Sequence, residues 1–160
     1  MPIQIEKATT EDVDRILNLI RELAEYERAP DKAVASREDL LRDGFRSNPM
    51  FHCVLGKFNG RVEGFALYFF TWSTWTGRPT LYLEDLYVRE SARGHGLGFA
   101  LLKKLAAEAV EAGCARMEWA VLDWNQPARD FYHRIGAFHK EDWLPYRIEG
   151  EALLTLAESK

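Results

Sequence analysis

The stretch "ARGHGLGFALL", beginning at Ala92, places Gly94, Gly96 and Gly98 within five residues, directly ahead of an apolar helical run. Glycine loses more backbone freedom on ordering than any other residue, so this is a poor way to begin a helix unless side chains must be absent. The other three predicted helix starts carry polar caps at Thr9, Ser36 and Asn125, residues whose side chains satisfy the first N–H groups. Here no cap precedes the helix, and no Asp or Glu occurs between Ser91 and Ala107, although a helix N-terminus favours negative charge. Arg93 and His95 stand there instead. Unpaired N–H groups, a turn without Cβ atoms and an arginine describe a seat for an anion. The alternative for this turn is tight strand-to-helix packing. No Gly-Lys-Ser/Thr follows the glycines, which excludes a nucleoside-triphosphate loop. The third glycine is one residue early for a dinucleotide fingerprint, and three strands precede the turn. A diphosphate other than that of ATP or NAD fits better.

Glu84 and Asp85 adjoin in "TLYLEDLYV", the predicted strand ahead of the glycine turn. Successive strand side chains face opposite sides, so one of the two is expected to reach a cleft. Leu83 and Leu86 beside them point to burial, and a buried carboxylate without partners holds its proton more tightly, as a base requires. The alternative is a solvated or hydrogen-bonded structural pair. His52, His95, His133 and His139 show no metal-ligand spacing, and Cys53 and Cys114 form no CxxC. No metal site is predicted, and both thiols are expected to be reduced and inert.

These groups need elements to hold them. "IQIEKA" alternates as a first strand, and Thr9-x-x-Asp12 opens a helix carrying Val13, Ile16, Leu17, Ile20, Leu23 and Ala24 at helical spacing. Ser36-x-x-Asp39 caps a second, short helix. "FHCVLGKF" and "RVEGFALYFFTW" flank Asn59-Gly60 as a hairpin. Residues 80–88 then form a strand with apolar residues on both faces, as expected of a central position. A helix follows from about Gly96 to Ala112, ended by Gly113, and then a buried strand over 116–122. Asn125 caps a helix ended by Gly136, and two last strands are expected over 137–140 and 145–150. The order β-α-α-β-β-β-α-β-α-β predicts a mixed α/β layered fold in one domain over residues 1–160.

Hydrophobic residues at 47% and charged residues at 29% describe a globular protein. A net charge of -4 gives no basic footprint for nucleic acid and suits a cationic partner. The start "MPIQIEKATTED" lacks an apolar signal core, and no run of about 18 apolar residues occurs, so neither export nor a membrane is expected. The expected location is the cytoplasm.

Arg93-x-x-Gly96-x-Gly98 between a strand and a helix resembles the acetyl-CoA pyrophosphate loop of the GNAT acetyltransferase superfamily. "ELAEYE", "DLLRDGF", "FHCVLG", "GFALYFF", "LYLEDLYV", "RGHGLG", "WNQPARDFYHRIGA" and "EDW" extend the resemblance to the diamine branch, which includes spermidine/spermine and thialysine acetyltransferases. It implies a central twisted mixed sheet whose two central strands splay apart, flanked by helices on both faces. It implies transfer of acetyl from acetyl-CoA to a small cationic amine by direct attack in a ternary complex. Tyr132 is implied as the acid at the departing sulfur and Glu84 as the base acting through water. The backbone of Leu86, Tyr87 and Val88 would pair with the pantetheine arm. Arg93, Gly94, His95, Gly96, Leu97, Gly98 and Phe99 would hold the pyrophosphate, and Asn125 would also touch the cofactor. Tyr26, Glu27, Glu84, Glu141 and Trp143 would line the acceptor site, where carboxylates attract an ammonium and aromatic faces add cation–π attraction.

Ile135 stands where the polyamine enzyme has a basic cofactor contact, with Arg134 beside it as a substitute, and the Asn59-Gly60 hairpin is shorter than in animal relatives. Family members are commonly homodimers, and one is expected here. The competing readings are a peptide or protein amine acetyltransferase on the same fold, and a non-catalytic acyl-CoA sensor. Retention of Glu84, Arg93, Asn125 and Tyr132 together argues against a sensor, which needs only the seat.

Overall fold

Alternating residues in Ile3–Lys7 form β1, at one edge of a five-stranded sheet with order β1-β2-β3-β4-β5. The computed structural model describes residues 2–160. These fall into two compact units, one running to Ala120 and the other spanning Val121–Lys160.

In the first unit β1 is followed by α1 (Val13–Tyr26) and α2 (Arg37–Gly44), then β2 (His52–Phe58), β3 (Arg61–Ser73), β4 (Arg78–Val88), α3 (Leu97–Glu111) and β5 (Arg116–Glu118). The predicted capping boxes form: Thr9 N donates to Asp12 Oδ2 at 2.8 Å, and Ser36 N donates to Asp39 Oδ2 at 2.9 Å. Asn59 (φ 51°) and Gly60 (φ 81°) make the tight turn between β2 and β3, as an Asn-Gly hairpin requires. β1 to β4 pair antiparallel and β5 joins β4 in parallel, giving a mixed sheet.

Sheet parity separates two cores. Val13, Ile16, Leu19 and Leu23 of α1 pack with Cys53, Leu55, Phe65 and Leu67 on one face. On the other face a Cβ on Gly56 would meet Leu97 Cδ1 at 2.9 Å and Leu101 Cδ1 at 3.4 Å, so glycine lets α3 close on the sheet. Helices therefore cover both faces, as expected.

The last predicted strand of the first unit is much shorter than expected. β5 pairs only through Thr80–Arg116, Leu81–Met117 and Tyr82–Glu118. The apolar run over 116–122 reads as a full strand, but a strand needs a partner along its length, and pairing with β4 stops at Glu118.

In the second unit α4 (Gln126–Arg134) begins at Asn125, whose Oδ1 accepts from Ala128 N at 3.4 Å, and stops at Gly136 (φ 94°). Residues 137–140 and 145–150 are not strands. Their apolar side chains, such as Phe138 and Tyr146, are 82% and 94% exposed, and among the described residues no strand pairs with them. An unexpected helix, α5 (Gly150–Glu158), follows. Its sequence carries strong helix formers, but its N-cap Glu149 makes no side-chain capping bond, so the usual start signal is missing.

Candidate active site

The glycine turn has the predicted form. Gly94 (φ 82°) and Gly96 (φ 87°) are left-handed, and Gly96 is the N-cap of α3 with no side-chain cap and no acidic residue in the first turn. A Cβ on Gly94 would meet nothing within 4 Å, and one on Gly96 only Ile3 Cδ1 at 3.9 Å. The glycines are therefore needed for backbone angle, not for space inside the protein. Ala100 N donates to Gly96 O at 2.9 Å, so the N–H groups of Leu97, Gly98 and Phe99 precede the first helical bond. Those groups and the positive end of the helix dipole suit a diphosphate. Leu97 contributes backbone alone, because its side chain is buried, whereas Phe99 is exposed.

The side chains of Arg93 and His95 are held by the fold. Arg93 Nε donates to Val88 O at 2.8 Å, and its guanidinium lies 4.8 Å from the Tyr26 ring centroid and 5.8 Å from that of Tyr87. His95 stacks on Phe58 with centroids 4.7 Å apart. Arg93 thus joins the end of α1 to the glycine turn, an arrangement that sequence spacing did not indicate.

Among the described residues, no strand pairs with the β5 side of β4 beyond Tyr82. Leu86, Tyr87 and Val88 stay paired on their other side with Ala66, Phe65 and Gly64. A strand with one open ladder suits an extended amide-bearing arm, which adds to a sheet edge through backbone hydrogen bonds. Gly64 keeps β3 close here, since a Cβ on it would lie 2.6 Å from Tyr87 O. Open ladder and uncapped helix start together fit the diphosphate and amide arm of an acyl-CoA.

The acid pair departs from simple alternation. Leu83 pairs with Tyr68 and Asp85 with Leu67, leaving Glu84 as an extra residue in a β-bulge. Before the bulge Tyr82 stacks on Phe69, on the α1 side of the sheet. After it Asp85 lies opposite Leu67 and Tyr87 opposite Phe65, again on the α1 side. The bulge thus turns both carboxylates to one face, where alternation predicts opposite faces. Glu27, at the C-cap of α1, is close enough to interact with both. Glu84 is exposed and Asp85 more enclosed. Burial, then the charges of Glu84 and Glu27, push the Asp85 carboxyl up to about 7. Partial burial and Glu84 raise Glu27 in the same direction.

Arg89, just past β4, was not identified from sequence. Its Nε and Nη2 donate to the Glu22 carboxylate at 3.0 and 2.9 Å, and Nη1 donates to Val62 O at 3.2 Å. It ties the end of β4 to α1 and β3. The partners lie 67 residues apart, so no local spacing could reveal the pair.

The second unit holds the remaining expected residues. Tyr132 is half-buried on α4 with its ring 5.6 Å from that of Phe131, and Tyr132 O accepts from Ala137 N at 3.0 Å. Asn125 uses its Oδ1 as the α4 cap. Glu141 is exposed, and Lys140 Nζ lies 5.9 Å from the centroid of the exposed Trp143 ring. Ile135 is 39% exposed at the end of α4.

Residues 13–137 match the acetyltransferase (GNAT) family. The chain is 43% identical to a thialysine N-epsilon-acetyltransferase from Sus scrofa, covering 97% of each protein. It is 39% identical to a human spermidine/spermine N(1)-acetyltransferase-like protein 1 over 96% of this chain and 24% of that protein. Among solved structures, an integron cassette protein from the mobile metagenome of V. cholerae superposes with a TM-score of 0.83 at 31% identity, covering 99% of both chains. An uncapped glycine turn, an open strand ladder and near-full-length kinship converge: the chain belongs to the GNAT acetyltransferase family.

Proposed function

We propose that this enzyme moves the acetyl group of acetyl-CoA to a primary amine of a small polyamine-like or lysine-analogue acceptor, by direct attack in a ternary complex. The observation that carries the reading is the β4 bulge, which turns Glu84 and Asp85 to the α1 side of the strand that runs into the anion-suited turn, where the charge of Glu27 at the end of α1 acts on both. The names of the relatives, which specify thialysine and spermidine or spermine, point to the same acceptor class.

An alkylammonium of pKa ~10.4 must lose a proton before it attacks, at roughly 4–5 kcal/mol at pH 7. Glu84 takes that proton through a water. The amine nitrogen bonds to the thioester carbonyl carbon, and the carbon–sulfur bond breaks. The amide nitrogen sheds a second proton, balancing the one taken up by the sulfur. Tyr132 hydrogen-bonds the departing sulfur. A tyrosine (~10) is a weaker acid than a thiol (~8.5), so full transfer is uphill by about 2 kcal/mol and stabilisation of developing charge dominates.

Acetyl-CoA supplies the activated acetyl group. Its pyrophosphate would be held by Arg93 and the backbone of Gly94, His95, Gly96, Leu97, Gly98 and Phe99, and its arm by Leu86, Tyr87 and Val88. Asn125 adds a further contact. Tyr26, Glu27, Glu141 and Trp143 receive the cationic acceptor. The 1–160 chain acts as one catalytic domain, as a cytoplasmic homodimer.

The test is CoA-thiol release between pH 7 and 9 against spermidine, spermine, putrescine, thialysine, lysine and peptides with free N-termini. Strong preference for one small diamine or lysine analogue supports the proposal. Preference for peptides transfers the reading to protein amines, and tight acetyl-CoA binding without release to any amine makes the protein a sensor.

A further inference from the structure

Arg93 is shared between the anion-suited turn and the end of α1. Its Nε donates to Val88 O at 2.8 Å, which holds the guanidinium against the end of β4. The guanidinium carbon lies 4.8 Å from the Tyr26 ring centroid and 5.8 Å from that of Tyr87, both within reach of a cation–π contact. Among the described residues nothing accepts from its Nη groups and no carboxylate pairs with it. Arginine carries five N–H donors in one plane, so those on the Nη groups are left for a ligand. On one side of Arg93 the chain runs directly into the uncapped turn at Gly94 and Gly96. On the other, Tyr26 is the last residue of α1, and Glu27 at the C-cap follows it. Arg89 anchors the same helix one turn earlier, through Glu22 at 2.9 Å. Arg93 therefore reaches the final turn of a helix whose preceding turn is already fixed.

Resting on the acetyl-CoA and acceptor assignments above, we propose that Arg93 is a positioning residue that couples the two substrates. The diphosphate of acetyl-CoA engages its open Nη groups, and the guanidinium so held fixes Tyr26 and the end of α1 in the acceptor wall. An exposed arginine samples many rotamers, and ordering it costs side-chain entropy. A diphosphate contact orders the group once, so its contact with Tyr26 then forms at less cost. The coupling is therefore positive, and by linkage a bound amine strengthens cofactor binding by the same factor. An exposed cation–π contact limits that factor to about two- to fivefold. Lysine keeps the charge but lacks the fixed planar fork that lets one group hold Val88 O, a diphosphate and a ring together.

The experiment follows Tyr26 by NMR in the full chain with carbon-13-labelled tyrosine rings, its signals assigned with Tyr26→Phe. CoA is the probe, because it carries the diphosphate and has no acetyl group to transfer. In wild type CoA is expected to shift the Tyr26 ring signals. In Arg93→Lys, CoA still saturates the backbone turn, more weakly, and leaves Tyr26 as it stands in the free variant. At saturating acetyl-CoA, Arg93→Lys also raises KM about two- to fivefold for the amine turned over fastest, with kcat little changed. A Tyr26 signal that CoA leaves unmoved in wild type, an equal shift in saturated Arg93→Lys, or an unchanged amine KM in that variant overturns the proposal. An Arg93-dependent shift of Tyr26 in a protein that acetylates no amine would leave the link in place and remove the acetyl-transfer reading. Thiol release beside an unmoved Tyr26 does the reverse.

Discussion

Replacing Asp85 by Asn should make the protein relatively more stable at alkaline than at acidic pH. The amide keeps the shape of the carboxyl and removes its charge. In the folded protein burial and the charges of Glu84 and Glu27 raise this carboxyl from an ordinary 3.8 to about 7. The folded state therefore keeps its proton over a range where the unfolded chain has already lost it. Between those two values the native state binds more protons, so stability falls as pH rises, opposite to the usual aspartate. The full difference corresponds to about 4 kcal/mol as a ceiling. Part of it is already lost at pH 5, and the partly open position and relaxation of Glu27 reduce the rest, leaving about 2 kcal/mol between pH 5 and pH 8. The assay is urea denaturation of wild type and Asp85→Asn at both pH values. The variant should gain about 2 kcal/mol relative to wild type on going from pH 5 to pH 8. An offset that is the same at both would refute the argument, since it would mean that Asp85 ionises alike in folded and unfolded protein.

Tyr132→Phe should lower kcat about a hundredfold or more with little change in the Kd of acetyl-CoA; unchanged turnover would remove Tyr132 as the sulfur's partner. Gly96→Ala forces a Cβ onto a left-handed residue with only Ile3 nearby. Strain of about 1–2 kcal/mol should lower Tm by about 2–8 °C and weaken acetyl-CoA binding, which melts with and without the ligand will show; an unaltered Tm contradicts the left-handed N-cap. The Arg89–Glu22 pair is about one-third exposed on each side, so solvent screening leaves a coupling of about 1 kcal/mol. A double-mutant cycle with Arg89→Ala and Glu22→Gln measures it, and strict additivity would deny the link between β4 and α1.

Features set by a few consecutive residues were legible in the sequence. The capping boxes at Thr9 and Ser36, the cap at Asn125, the Asn59-Gly60 hairpin and the uncapped glycine start of α3 formed as read. Each depends on local hydrogen bonding or on a φ that one residue type tolerates. The helical period of α1 likewise identified its buried face. The strands expected at the chain's end do not form in full because apolar stretches over 116–122, 137–140 and 145–150 become strands only where another backbone lies beside them, and pairing with β5 ends at Glu118. The orientation of Glu84 and Asp85 was undecidable for the same reason. "TLYLEDLYV" is apolar on both faces, so its pattern assigns neither acid to a face, and only its register against β3 introduces the bulge that turns both acids to one face. Arg93 over Tyr26 and Arg89 on Glu22 join segments that no sequence interval relates. The sequence by itself determined the local backbone chemistry and, through its kinship, the class of reaction. Tertiary structure alone decided which charges meet, because strand register and helix packing arise between segments that are distant along the chain.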